Sequence, residues 1–208
     1  MKVKWIFFDV GSTLVDEALA YDHRAMDMLK ETNITFEEFN SKRRELSELG
    51  YDGNSSAISF FDLTKTPWHT EDEVIFSDAP SVLNELKNDG FNLGIIANQQ
   101  PGLEERLDKW KILNYFSIII SSSDIGLSKP DKRIFQEAIS RSKCAPQECL
   151  MIGDRLDNDV IPASEIGMKT IWIKHNDILL PSDHIGYTYA DFIVDNLSKI
   201  CDILKQER

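Results

Sequence analysis

Residues 5–17 read WIFFDVGSTLVDE. Trp5 to Phe8 form an unbroken apolar run that ends on Asp9, and the small, flexible stretch Val10-Gly11-Ser12-Thr13 follows. A strand apolar on both faces belongs to a parallel sheet covered on both sides. A carboxylate at the carboxyl end of such a strand, ahead of a glycine turn, stands where open α/β sheets bind their ligands. Taken alone, Asp9 could equally cap a turn. The rest of the chain has to decide.

Similar runs recur: LGIIA (93–97), SIII (117–120), CLMI (149–152), TIWI (170–173) and FIV (192–194). Amphipathic stretches lie between them, among them SVLNELKND (81–89), LEERLDKW (103–110) and KRIFQEAISRS (132–142). The alternation predicts an α/β fold with a parallel sheet between helical layers. Several strands end on polar residues, namely Asp9, Asn98, Ser121 to Ser123 and Asp154, so these are candidates for one shared site. Residues 16–77 interrupt the pattern with helical stretches at 21–32 and 36–49, a turn at 50–56 and an irregular or helical segment at 57–74. Thr35, with Glu38 three residues on, reads as a capping box for the second helix. The reading is therefore a core of residues 1–15 and 78–208 with a helical insertion over 16–77.

Composition narrows the function. The chain has 208 residues and a formal net charge of −12, which argues against nucleic acid and anionic membranes as partners. Small phosphorylated ligands stay compatible, because a metal ion or one lysine reverses the field locally. Cys144, Cys149 and Cys201 show no metal-type spacing and read as reduced thiols. The opening MKVKWIFFDV has too short an apolar run for a signal peptide or membrane span, so a cytoplasmic protein is expected.

In order, four segments resemble the motifs of the haloacid dehalogenase-like hydrolases, in the subgroup with a helical cap inserted after the first motif. Asp9-Val10-Gly11-Ser12-Thr13 is similar to the nucleophile motif Asp-x-Asp-x-Thr. NLGIIANQQ (92–100) stands where the family has a Ser or Thr followed by Asn. YFSIIISSSDIGLSKPDKRIF (115–135) resembles the third motif, with Lys129 before Pro130, and MIGDRLDNDVIPASEIGMKTIWI (151–173) the acidic fourth. The resemblance implies a three-layer Rossmann-like core with a helical cap. It also implies a magnesium-dependent phosphatase acting on a small phosphorylated metabolite, as a monomer or homodimer. Asp9 would be the nucleophile, Lys129 its cationic partner, and Asp9, Asp154 and the Gly11 carbonyl the Mg2+ ligands. Asp159 would sit behind them, and Asn98, Ser12 and Ser121 are the candidates for holding phosphate.

Those roles make chemical sense. A carboxylate can attack phosphorus and split one displacement into two, provided that cations screen the two anions. Each residue also has an ordinary reading: Lys129 as a surface lysine, GDRLDND (153–159) as an acidic helix start. His23, Trp68 and His69 fall in the insertion, where substrate contact and a purely structural role are both open.

Two positions depart from the family pattern. Gly11 replaces the aspartate that protonates the leaving group, a role worth about 10²–10⁴ in rate. Ala97 replaces a hydroxyl that holds a phosphoryl oxygen, worth roughly 10²–10³. Asn98, Ser121 or Ser12 could fill the second gap. For the first, Asp16 is the nearest carboxylate in sequence, but it lies at the junction with the insertion. The alternatives are a non-catalytic phosphate-binding or interaction protein on the same scaffold, or a phosphonatase- or dehalogenase-like hydrolase. The intact acidic motif argues against dehalogenation.

Overall fold

The computed structural model describes residues 3–49, 51–175 and 188–206. Its central sheet holds β1 (Trp5–Phe8), β4 (Asn92–Ala97), β5 (Phe116–Ser121), β6 (Cys149–Gly153), β7 (Lys169–Ile173) and β8 (Phe192–Val194). They are ordered β5-β4-β1-β6-β7-β8 and are all parallel. The first strand is thus central, flanked by β4 and β6, which explains why WIFF carries no polar alternation. Ile6 and Phe8 point into one apolar layer and Phe7 into the other.

The Ile6/Phe8 face is covered by α4 (Ala79–Asn88), α5 (Leu103–Lys109) and α9 (Ser198–Gln206) through Leu83, Leu107 and Ile200. The Phe7 face is covered by α7 (Lys132–Ser142) and α8 (Ile161–Glu165) through Ile134, Phe135 and Ala163. These three layers are the expected Rossmann-like α/β architecture. Burying a side chain such as Phe7 in them stabilises the fold by about 1.5–3 kcal/mol.

Three further helices, α1 (Ala18–Leu29), α2 (Phe36–Glu48) and α3 (Gly53–Phe60), gather around a small core of their own that includes Met28, Phe39 and Ile58. The capping box at the start of α2 is present. The Glu38 amide donates to Thr35 Oγ1 at 3.2 Å, and the Thr35 amide to the Glu38 carboxylate at 2.8 Å. Within the expected turn at 50–56, α3 already begins at Gly53, because the Asp52 carboxylate accepts the Ser55 amide at 2.9 Å and caps it; Gly50 lies outside the described residues. The chain leaves the sheet along β2 (Val15–Asp16) and returns along β3 (Val74–Ile75), and the two short strands pair antiparallel. No helix among the described residues is long and apolar enough to cross a membrane.

Candidate active site

Parallel strands of one sheet end on one edge, and here that edge collects the polar residues that follow β1, β4 and β6. The Asp9 amide extends the pairing of β1 with β6 by donating to the Ile152 carbonyl at 2.9 Å. This sets Asp9 beside the Gly153-Asp154 turn. Lys129 enters from the loop after α6 (Ser122–Ile125), the short helix that follows β5, and is 5% exposed. Its ammonium donates to Asp9 Oδ1 and to Asp159 Oδ1, each at 2.5 Å. Asp159 also accepts the Arg155 amide at 3.0 Å. Oxygens of Asp9, Asp154 and Asp159 all lie within 4.8 Å of one another.

So many carboxylates around one ammonium shift the titration of Lys129, Asp159 and Asp154. Burial opposes the charge on Lys129, but the Asp159 and Asp9 carboxylates outweigh it and hold the lysine protonated beyond its ordinary range. Burial pushes Asp159 up to about 6 against the pull of Lys129. Asp154 is pushed well up by burial and by the carboxylates of Asp159, Asp9 and Glu17. A cluster of oxygen donors short of positive charge is the environment that suits a hard divalent cation. Asp9, Asp154 and Asp159 bring their oxygens close enough together to hold such an ion.

The floor opens into a cavity of about 290 Å³. Gly11, Ser12, Asn98 and Lys129 line it from the sheet, and Tyr21, Met28, Phe39, Lys65 and Trp68 from the inserted segment. Asn98 reaches the site with its amide committed: its Nδ2 donates to the Lys129 carbonyl at 2.9 Å, and its Oδ1 accepts the Lys129 amide at 2.8 Å. It therefore fixes the lysine loop. Ser12 lines the cavity and donates to Glu17 Oε2 at 3.3 Å. Ser121 is a correction. It is fully buried at the end of β5, shares a 2.9 Å hydrogen bond with Ser123, and does not line the cavity. Ala97 is fully buried in β4.

Of the three aromatic residues of the insertion singled out in the sequence, only Trp68 lines the cavity, with its Nε1 donating to Glu73 at 2.8 Å. His23 and His69 stack elsewhere, 3.6 Å between centroids and 10° between planes, and bind Asp72 and Asp27. One ring nitrogen of each and an Asp27 oxygen lie within 4.8 Å of one another, apart from the floor of the cavity. Arg155 joins the sheet to the insertion, pairing with Asp52 at 2.7 Å and with Asp157 at 2.5 Å. This pairing draws Asp157 out to the surface and away from the floor.

Sequence reasoning missed Glu17. It is 8% exposed and lines the cavity, and burial together with the Asp9 and Glu73 carboxylates pushes it up to about 8. Asp16, the carboxylate weighed for the vacant role, is exposed and accepts the Ala18 amide at 2.9 Å. No local pattern distinguishes the two residues. Only the fold turns one outward and the other in.

The family model for haloacid dehalogenase-like hydrolases matches residues 6–173. The chain belongs to that family. It is 27% identical to a glyceraldehyde 3-phosphate phosphatase of Methanothermobacter thermautotrophicus, over 97% of this chain and all of the relative. A crystal structure of a haloacid dehalogenase-like phosphatase from Thermococcus onnurineus matches with a TM-score of 0.66 at 26% identity, over 98% of both chains. The fold is shared with the putative hydrolase YfnB of Bacillus subtilis, solved bound to magnesium, with a TM-score of 0.68 at 20% identity over 98% of this chain and 99% of that one.

Proposed function

We propose that this enzyme is a magnesium-dependent phosphohydrolase acting on a small phosphorylated metabolite through an aspartyl-phosphate at Asp9. The reading rests on one observation above all: a buried lysine bridges two carboxylates, with a third beside them, on the floor of a cavity at the carboxyl edge of the sheet. The names of the relatives point the same way. A cavity of about 290 Å³ is at the small end of the roughly 300–1,000 Å³ common for ligand sites, and it suits a phosphate ester of a few carbons.

Magnesium, held by Asp9, Asp154 and the Gly11 carbonyl, would supply the positive charge that lets a carboxylate and a phosphate approach. Asp9 presents the attacking oxygen. Lys129 bridges Asp9 and Asp159, offsets part of their charge, and places a fixed cation beside the phosphoryl group. Asn98 holds the Lys129 backbone, so the lysine need not reorganise during the reaction. Residues 16–77 act as a cap, bringing Met28, Phe39 and Trp68 over the floor to exclude water and choose the substrate.

A phosphatase panel run with and without magnesium, including acetyl phosphate and p-nitrophenyl phosphate, tests the reading. Turnover that requires magnesium and disappears in Asp9→Asn, by on the order of 10⁴-fold or more, supports it. Wild-type rates from a folded Asp9→Asn protein would place the activity elsewhere.

A further inference from the structure

An alkyl phosphate leaves as an alkoxide and needs a proton. On the floor of this cavity most acids are committed. Asp9 and Asp159 share Lys129, Asp159 also holds the Arg155 amide, and Asp154 faces the same cluster. Glu73 accepts the Trp68 indole through Oε1, and its buried Oε2 has no partner among the described residues. Glu17 has a hydrogen bond only from the Ser12 hydroxyl among those described, at 3.3 Å, and no basic partner.

Its position is more telling than its freedom. A Cβ built on Gly11 would lie 2.6 Å from Glu17 Cδ, 2.5 Å from Oε2, and closer still to Oε1. An aspartate carries its own carboxylate oxygens roughly 2.4 Å from its Cβ, as standard bond lengths dictate. The Glu17 carboxyl therefore lies against the Cβ position of residue 11, within the reach of the carboxyl that an aspartate there would carry. The backbone of Gly11 is not left-handed; the positive φ, 53°, falls on Ser12. What a side chain at 11 would meet is the Glu17 carboxyl, which would have to move aside. Helix capping does not explain the arrangement. Glu17 is the N-cap residue of α1, yet its side chain makes no capping bond and turns into the cavity.

We propose that the Glu17 carboxyl is the general acid and base of this site, reaching from the start of the inserted segment into the space left by Gly11. As an Asp9 oxygen bonds to phosphorus and the ester P–O bond breaks, the Glu17 proton passes to the departing oxygen and releases the alcohol. The resulting carboxylate then takes a proton from water. The water oxygen bonds to phosphorus, the aspartyl-phosphate bond breaks, and phosphate leaves with Asp9 and Glu17 restored. The inference rests on the phosphohydrolase reading.

The test compares wild type, Glu17→Gln, Glu17→Ala, Gly11→Asp and the double variant Gly11→Asp/Glu17→Ala. Each is assayed with magnesium on an alkyl phosphate (glyceraldehyde 3-phosphate) and on p-nitrophenyl phosphate, and its thermal unfolding is followed. Glu17→Gln and Glu17→Ala are expected to lose about 10²–10⁴-fold on the alkyl ester and less than about 10-fold on the aryl ester, whose leaving group needs no proton. Gly11→Asp alone is expected to melt lower and gain nothing. Adding Glu17→Ala should restore its melting temperature and raise alkyl-ester turnover at least about 10-fold above Glu17→Ala. Equal losses on both esters, or none, in a folded Glu17→Gln protein overturn the inference and leave the phosphohydrolase reading standing. Failure of wild type on both esters overturns that reading, and with it this one. If Glu17→Gln does not fold, the double variant decides: no gain over Glu17→Ala rejects the role.

Discussion

The loop after β1 and the loop after β6 use the same packing device for opposite ends. In each, a glycine lies against a carboxyl six residues further on, Gly11 against Glu17 and Gly153 against Asp159. A Cβ on Gly153 would come within 2.5 Å of Asp159 Cβ, as one on Gly11 would of Glu17 Oε2. Asp159 is met by the Lys129 ammonium and the Arg155 amide, whereas Glu17 meets one hydroxyl. The first pair therefore makes a charged support and the second a protonated acid, with values pushed to about 6 and about 8. Proximity is set by the missing side chain. Protonation is set by what faces the carboxyl.

The largest way to break this contrast is to remove the cation. Lys129→Ala strands Asp9 and Asp159, so we expect a loss of about 3–5 kcal/mol in urea unfolding of metal-free protein, and magnesium should recover part of it. A smaller effect separates the loops by pH. Folded, Glu17 keeps its proton to about pH 8; unfolded, it gives it up near the ordinary 4.5. The unfolded chain binds fewer protons across that window, so stability is greatest below pH 4.5 as far as Glu17 is concerned and falls as pH rises to 8. Metal-free Glu17→Gln should lack that share of the decline, and urea midpoints measured from pH 5 to 8 would expose an unchanged slope.

Next come the glycines themselves. Gly11→Ala meets the far end of a flexible side chain, while Gly153→Ala meets a Cβ held close to the backbone. We expect about 1–3 kcal/mol lost for Gly153→Ala and less than about 1 kcal/mol for Gly11→Ala, read as calorimetric melting shifts. The smallest effect lies where the second loop touches the insertion. Arg155→Ala removes a partly exposed pair with Asp52 and should cost about 0.2–1 kcal/mol. A much larger loss would show that the pair carries more of the contact than its exposure allows.

Much of the core was legible because its strands are buried on both faces and so stand out as unbroken apolar runs; WIFF, CLMI and TIWI all lie within strands. The helices with strong caps or apolar stripes, α2 and α7, matched within a residue. The pair β2 and β3 escaped notice, since two residues give no periodicity. Asp9, Lys129, Asp154 and Asp159 could be chosen because they stand in motifs of fixed order. Ser121 failed as a candidate because its position at a strand end says nothing of whether its hydroxyl faces the cavity or Ser123. Glu17 was invisible for a related reason: its meaning depends on a return of the chain across Gly11 that no local pattern encodes.

The crowding of Gly11 against Glu17 also limits the histories open to this sequence. An aspartate at 11 and a glutamate at 17 compete for one volume, so from the present chain Gly11→Asp meets a clash, and loss of Glu17 removes the acid before another can replace it. Each single step runs downhill in fitness on a substrate that needs a proton, although the pair of changes together does not. Two adjacent solutions to one chemical need are thus separated by a valley. A search for improved variants that proceeds one substitution at a time would stay on this side of it.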